Sequence, residues 1–414
     1  MSSSATPERN IVIVGGGIIG CTTAYYLSSH PSFDSTSTRV TLLEASRNGA
    51  AQGASGKAGG LVAKWAYPSE LVDVSFAEHV RLAEKHDGAQ RWGWRFVGCG
   101  SWEGRGELVG ETGSGVGKGG SRKSLEKTLG LNGNFKKTRE QLGLPDDLNW
   151  VREELTGAYA PMAPPGDTAQ VHPYLFTTSM LELAKEQGVQ FVQGKATSVQ
   201  IDEETKTITG VAYTSADSAT PKTIPATHVI VAAGVWSPRL LPRLPIEGTR
   251  AHSITIRPTP GTAISPYVLF TEIELAKPGS SRRAARASPE VYARPGNEVY
   301  CCGPGDNSAA PDTVDDVEVD QRACDSIREH VASISTQLRD GEVEKQQACF
   351  LPVVSGGGPI VGEAKSLAKG LVIATGHTCW VSTSGQMGVL ASLTESRRAF
   401  VTHLERPRPS PSLS

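Results

Sequence analysis

The 414-residue chain is short of several things, and each shortage removes a class of protein. No run of 18 apolar residues occurs and mean hydropathy is −0.24, so no transmembrane helix is expected. Neither sign of charge dominates: 41 Lys and Arg stand against 43 Asp and Glu, a formal net charge of −2. A nucleic-acid binder shows a basic surplus or stripe, so nucleic acid is not an expected partner. The seven cysteines form no C-x-x-C pair, and Cys301 and Cys302 are adjacent. Zinc spacing is therefore missing and no metal site is expected. An odd, irregular set of thiols suits a reducing compartment. The opening residues, MSSSATPERN, lack the apolar stretch and basic flank of a secretory signal, and the chain does not close on S-K-L. A cytoplasmic location is the expectation.

Glycine is the surplus: 45 residues, against roughly 29 at the usual ~7%. No three-residue period is present, which excludes collagen. The excess is clustered, with nine glycines in 15–60, eleven in 93–120 and eight in 356–388.

The first cluster follows a strand. Residues 10–14, NIVIV, are apolar enough to be buried on both faces, GGGIIG follows, and CTTAYYLSSH continues at helical spacing. RVTLLE at 39–44 gives a second strand ending in Glu44. Strand, Gly-rich turn, helix and strand within about 35 residues predict a βαβ unit. Gly15-x-Gly17-x-x-Gly20 then has a physical reading. Gly15 permits the tight turn, Gly17 leaves room for a pyrophosphate, and Gly20 lets helix and strand approach. The helix N-terminus offers free N–H groups to phosphate, and Glu44 can accept from ribose hydroxyls. A dinucleotide is the expected ligand. The motif alone does not choose between NAD and FAD.

Further on, 69–96 reads as a helix, 98–124 as a Gly/Ser-rich loop or insertion, and 175–187 as a helix stopped by Gly188. VQFVQG, KATSVQID and HVIVAAG (228–234) read as strands. From 250 to 305 the alternation SITIRPT, YVLFTEI and PEVYARPGNEVYCCG predicts antiparallel strands with a turn at Pro295-Gly296-Asn297. A helix over 318–338 precedes strands at 345–353 and 370–376. The βαβ character thus brackets an antiparallel block. The expected fold is α/β, with a Rossmann-like domain interleaved with an antiparallel-sheet α+β domain. GSGVGKGGS at 113–121 is not a P-loop, because Thr112 and Gly119 replace the required Gly and Ser/Thr. Trp92, Trp94 and Trp102 either shape a pocket or pack. SRRAAR at 281–286 reads as a solvated basic run, and the Pro/Ser-rich 401–414 as a disordered tail.

Four later segments carry a family resemblance. VIVAAGVWSPRLL at 229–241 resembles the "ATG" strand of FAD-dependent oxidoreductases. GASGKAGGL at 53–61, ACFLPVVSGGGPIVG at 348–362 and ATGHTCW at 374–380 resemble flavin-contacting segments of the D-amino acid oxidase/glycine oxidase/sarcosine oxidase superfamily, in the family's order. The resemblance spans roughly 10–392 and suggests the fungal members of the family. It implies an FAD-binding domain from 8–97, 168–245 and 345–400, and a substrate domain from 98–167 and 246–344.

By motif position the resemblance implies that Gly15, Gly17, Ile18, Ile19, Gly20, Glu44 and Ala45 hold the ADP moiety. Ser55, Gly56, Lys57, Ala58, Gly59, Gly60 and Leu61 would follow the pyrophosphate, ribityl chain and ring. Val199 would meet adenine, with Ala233, Gly234 and Trp236 on the ADP side. Gly362, Gly376 and His377 would line the flavin. Cys349 stands where sarcosine oxidases attach flavin covalently. The implied reaction oxidises a C–N bond of an amine or amino-acid-like molecule, with oxygen or an electron carrier as acceptor. A dehydrogenase using a non-oxygen acceptor, and a weakly catalytic binding or trafficking module, are the alternatives.

The chain departs from the family pattern at its cations. The substrate-binding Arg of R-P-x-T is Leu351, the Lys after the last G-H loop is Trp380, and the flavin-side Lys falls at Cys301. A standard α-amino acid held in the usual way is therefore not expected. Arg257 or Arg294 are the possible substitutes, each also readable as a strand charge. His172, Arg294, His377 and Trp380 are the catalytic candidates. Beyond Trp380, VSTSGQMGVL lacks the Pro of the family's P-x-T-G loop.

Overall fold

The computed structural model describes residues 9–66, 69–107, 138–215, 218–275, 285–355 and 358–378. Trp380, the GSGVGKGGS segment, most of SRRAAR and the tail lie outside them.

The Gly-rich turn is built as its spacing demands. Strand β1 (Arg9–Val14) leads into helix α1 (Ile18–Ser28), and β2 (Thr38–Glu44) lies parallel beside β1. Gly15 has φ +113°, and a Cβ there would lie 2.5 Å from the Ala232 carbonyl oxygen. A Cβ on Gly20 would lie 1.9 Å from the Gly15 oxygen, so the third glycine serves helix–strand packing.

β1 sits inside a six-stranded sheet. The order is Ile360–Glu363, Leu371–Thr375, His228–Val231, β1, β2 and Gln190–Gln193, parallel except for the first strand. One face carries Ile13, Val40, Leu42 and Ile230 against α1 and the Pro173–Glu186 helix. The other carries Val12, Val14, Val229 and Val231 against an antiparallel meander of Lys195–Asp202, Thr207–Ser215 and Ser218–Pro225. Burial on both faces explains why these strands read as continuous apolar runs.

The second layer is an eight-stranded sheet. Its order is Glu342–Val354, Ile246–Arg257, Glu298–Asp306, Glu290–Arg294, Tyr267–Leu275, Gly98–Gly106 and Thr156–Pro161, with Ala285–Ala287 beside Tyr267–Leu275. All pairs are antiparallel except Tyr267–Leu275 with Gly98–Gly106. Alternation divides its side chains. Val299 and Cys301 enter a core with Ile254, Leu269 and the Gln321–Ala332 helix, while Tyr300 and Cys302 face the other way.

Three expectations change. Residues 98–106 are a sheet strand and not a loop. Its glycines make room for rings: a Cβ on Gly98 would lie 2.1 Å from the Tyr267 ring, and one on Gly100 2.3 Å from the Tyr159 ring. The 69–96 helix ends at Lys85, because Asp87 turns to φ +52° before a short helix, Gly88–Trp92, and strand Arg95–Phe96. The strand at 345–353, expected beside the dinucleotide-binding elements, hydrogen-bonds along Ile246–Arg257 in the antiparallel sheet. The chain crosses back to the parallel sheet only with Ile360–Glu363. Trp92 and Trp102 are fully buried, and Trp94 stacks on His79, so all three pack.

Candidate active site

A cavity of about 840 Å³ runs between the two large sheets. That is near the upper end of small-molecule sites, roughly 300–1,000 Å³. One end is made of backbone. Gly15, Gly17, Ile18 and Ile19 line it with Glu44 and Ala45, and Ala233, Gly234 and Trp236 close the opposite wall. Glu44 folds onto the turn, its Oε2 accepting from the Gly16 N–H at 2.5 Å and its Oε1 from the Ser46 N–H at 2.7 Å. Burial pushes the Glu44 pKa up, against the pull of those two N–H groups. Ser55 Oγ accepts from the Ile18 N–H at 2.9 Å, which marks an acceptor's seat at the α1 N-terminus.

The middle of the cavity is the 55–61 loop. Ser55, Lys57, Ala58, Gly59, Gly60 and Leu61 line it. Lys57 Nζ donates to the Ala348 carbonyl at 3.0 Å, and burial lowers its pKa. Gly59 lies against Tyr292, where a Cβ would come within 2.6 Å of the ring. Cys349, Gly376 and His377 line the facing wall. Burial pushes the Cys349 thiol up to about 11 and lowers His377 to about 4. His377 Nε2 is buried with no hydrogen-bond partner among the described residues.

Four cofactor candidates fall outside the lining: Gly20, Gly56, Gly362 and Val199. Gly20 packs, as above. A Cβ on Gly56 would lie 1.9 Å from the Ala51 oxygen, so Gly56 shapes its loop. Gly362 sits in the edge strand, paired with Ile373. Val199 pairs with Val211 and packs into the core, while Lys195, Ala196 and Thr197 of the same strand reach the cavity.

The catalytic candidates separate. His377 is in the cavity wall, whereas His172 and Arg294 are behind it. His172 caps the Pro173–Glu186 helix, its Nδ1 accepting from the Leu175 N–H. Burial and the Arg294 charge lower its pKa to about 4. Arg294, 3% exposed, pairs with Glu298 at 2.8 Å, donates to the Ala58 carbonyl and covers the Tyr300 ring. It is neutralised and fixed, so it is not a free receptor for a carboxylate. Arg257 pairs with Glu344 on an exposed edge.

Sequence reasoning missed the far end and the strap. Trp65, Phe270, Glu290, Tyr292, Tyr300 and Cys302 line the far end. The strand alternation at 290–302 was a signal that one face carried them. The strap is Pro311–Val314, whose Asp312, Thr313 and Val314 line the backbone end. Asp312 pairs with Arg239 at 2.8 Å and with Lys195, and Trp236 Nε1 donates to the Pro311 carbonyl. Asp315 holds Ser46 and the Arg47 N–H. Sequence carries no sign of contacts between residues so far apart.

These features fit a dinucleotide flavin: a turn with no side chain at Gly17, an acceptor seat at a helix N-terminus, and an orphaned His377 nitrogen farther along. Among the described residues no cluster suited to a metal occurs, and no helix is long and apolar enough to cross a membrane.

Comparison with known proteins agrees. The family model for the DAO-type FAD-dependent oxidoreductases matches residues 10–392. TDA3 of Saccharomyces cerevisiae, whose name carries a proposed oxidoreductase activity, is 32% identical over 92% of this chain and 90% of its own. Glycine oxidase from Bacillus cereus superposes with a TM-score of 0.66 at 17% identity, over 95% of this chain and 99% of that one. Iminodiacetate oxidase from Chelativorans sp. BNC1 gives 0.63 at 20% identity, over 94% and 96%. The chain belongs to the DAO family of FAD-dependent oxidoreductases.

Proposed function

We propose that the protein oxidises a C–N bond of a small amine, with FAD held between the two sheets. The observation that carries this reading is the one cavity shared by the Gly15–Gly17 turn, the 55–61 loop and the aromatic face of the antiparallel sheet. Bound FAD would supply a two-electron acceptor for hydride from the carbon next to nitrogen, leaving an imine for water to hydrolyse.

The chain's own residues do the rest. Gly15, Gly17 and Glu44 would fix the ADP moiety, and Ser55 to Gly60 would follow it inward. Val199 is replaced in this role by Ala196 and Thr197 of its strand. His377, neutral at pH 7, offers a hydrogen bond to the flavin without a charge. Tyr292 and Tyr300, both buried, keep water from the reacting carbon. Orientation and exclusion of water suffice when the amine arrives neutral, so no acid–base triad is needed.

Two finer points follow. Burial pushes the Cys349 thiol up to about 11, away from the nucleophilic thiolate that a thioether would need, which supports a flavin held without a covalent bond. Acid precipitation should leave yellow colour in the supernatant. Lys57 is a cavity cation that forms no close ion pair with a carboxylate among the described residues, the Asp315 charge acting on it from farther off. Oxygen reduction builds negative charge, so Lys57 favours oxygen as acceptor. The cytoplasm suits the six described cysteines, all unpaired.

Anaerobic bleaching of the flavin near 450 nm across an amine library tests the reading. Bleaching with an amine and peroxide release on readmitting air are expected. A colourless protein that refuses FAD would overturn it and favour a binding module. Bleaching without peroxide would point to a carrier-linked dehydrogenase.

A further inference from the structure

We propose that the far end of the cavity selects a substrate with a cationic group separate from its reacting amine, which arrives neutral; Glu290 anchors that charge, and Trp65, Phe270 and Tyr292 wall it. The inference deepens the amine-oxidation reading and rests on it for the role of the site.

Glu290 opens the Glu290–Arg294 strand, is half-buried and faces the cavity. Its Oε2 accepts from the Tyr292 hydroxyl and from Cys302 Sγ at 3.7 Å. Both are neutral donors: burial and the Glu290 charge hold Tyr292 and Cys302 well above their usual ranges. No Lys, Arg or His among the described residues forms an ion pair with Glu290. A carboxylate partly withdrawn from water, with neutral neighbours only, is a receptor for a positive charge.

The walls have the same preference. Ring contacts run from Trp65 to Phe270 (centroids 6.1 Å, 77°) and from Phe270 to Tyr292 (6.4 Å, 70°). Trp65 Nε1 is tied to Thr168 Oγ1 at 2.9 Å, which fixes the first ring. Aromatic faces carry negative quadrupole and attract ammonium groups, most strongly where water is excluded.

A carboxylate-bearing substrate finds no equivalent receptor here. Arg294 is committed to Glu298, and Leu351 stands where the family's amino-acid oxidases carry Arg. Of the Lys and Arg residues that line the cavity among the described residues, Lys195 and Arg239 pair with Asp312 at the backbone end, and Lys57 interacts with the Cys349 and Asp315 charges. The Glu290 charge acts on Cys99, Tyr292 and Cys302. Lys57 Nζ is held by the Ala348 carbonyl and Glu290 by Tyr292 and Cys302, so the two charges have different partners in the cavity.

Three probes of one shape test this on the flavin-loaded protein by titration calorimetry: choline, neutral 3,3-dimethylbutanol and anionic 3,3-dimethylbutanoate. Choline has no N–H and cannot become a neutral imine, so binding is read apart from turnover. We expect choline to bind about tenfold tighter than the alcohol, and the anion to bind most weakly. Glu290→Gln should erase the choline preference and leave alcohol binding unchanged. Phe270→Leu keeps the carboxylate and should lower the preference about threefold, a second readout should Glu290→Gln not fold. Equal binding of choline and the alcohol, tightest binding of the anion, no measurable binding of any probe, or an unchanged preference in Glu290→Gln would each overturn the proposal. Amine bleaching of the flavin without a choline preference would sink this inference alone. A choline preference without bleaching by any amine would sink the oxidation reading and leave the cation site standing.

Discussion

The two ends of the cavity are built from different materials. At the Gly15 end the wall is mostly main chain: a turn at φ +113°, the first turn of α1, and the Ala233–Gly234 segment. At the Glu290 end it is side chains, projected from strands that come together only through sheet pairing. Main-chain walls take a ligand common to many proteins, because N–H groups and helix dipoles are the same everywhere. Side-chain walls set what is peculiar to one protein. The difference makes separate demands on substitution, and these can be measured.

The harshest change strikes the main-chain end. Gly15→Val puts a branched Cβ at positive φ and about 2.5 Å from the Ala232 oxygen. It should cost more than about 4 kcal/mol and yield little soluble protein. Gly17→Ala is the informative partner. Its Cβ would meet Ser55, with Oγ at 3.0 Å and Cβ at 3.9 Å. The variant should fold, with a urea midpoint near that of the parent, and bind FAD at least tenfold more weakly. If Gly17→Ala unfolds as Gly15→Val does, the turn is a packing device and the division of roles is wrong.

Arg294→Met tests the join between the ends. Arg294 reaches from the aromatic sheet to the Ala58 carbonyl in the 55–61 loop, and its loss strands Glu298 in a buried site. Breaking such a pair costs about 3–5 kcal/mol. Arg257→Ala, on the exposed Glu344 pair, should cost less than about 1 kcal/mol by the same denaturation measurement. Equal costs would mean that Arg294 is not the clamp the geometry describes.

These contrasts explain what was legible beforehand. Gly15, Gly17, Gly20 and Glu44 were readable because one short segment builds the whole device, so spacing encodes geometry. The parallel strands were readable because burial on both faces writes an apolar run. Gly98–Gly106 was misread as a loop because its glycines resemble linker composition. Only the Tyr159 and Tyr267 rings, from distant strands, show why side chains are excluded there. Val199 packs into the core, and the cavity is reached instead by Lys195, Ala196 and Thr197, across a bulge in the same strand that no local spacing records. Glu290 and Phe270, on paired strands, share a site with Trp65 from about half the chain length earlier, and Asp312 meets Lys195 and Arg239 across long separations too. No local pattern records such meetings.

A pH series compares the ends through His377. Its folded pKa of about 4 lies below the ordinary 6.5, so below pH 6.5 the unfolded chain binds the extra proton first. Stability in the flavin-free protein is therefore full above pH 6.5 and declines as pH falls toward 4. The loss from this group is about 3 kcal/mol. Urea midpoints between pH 7 and 4.5 should fall accordingly, and His377→Leu should flatten the slope. An unchanged slope would place the acid sensitivity elsewhere, with His172 the next residue to replace.

The mildest change touches the strap over the main-chain end. Asp312 is exposed, yet it gathers Lys195 from the Lys195–Asp202 strand and Arg239 from the wall beside Trp236. Exposed pairs add little to global stability, so Asp312→Ala should shift it by less than about 1 kcal/mol. The strap nevertheless lines the backbone end of the cavity, where the proposed dinucleotide would sit. Cofactor release should therefore quicken by about tenfold, as expected when a few weak contacts must open together. Flavin fluorescence after dilution into apoprotein-free buffer measures that rate directly. Raising the salt concentration should speed release in the parent and not in the variant, because screening acts on the same charges. A release rate that neither the substitution nor salt alters would show that the glycine turn alone retains the cofactor. The substrate end would then owe nothing to the segment that crosses from its own sheet.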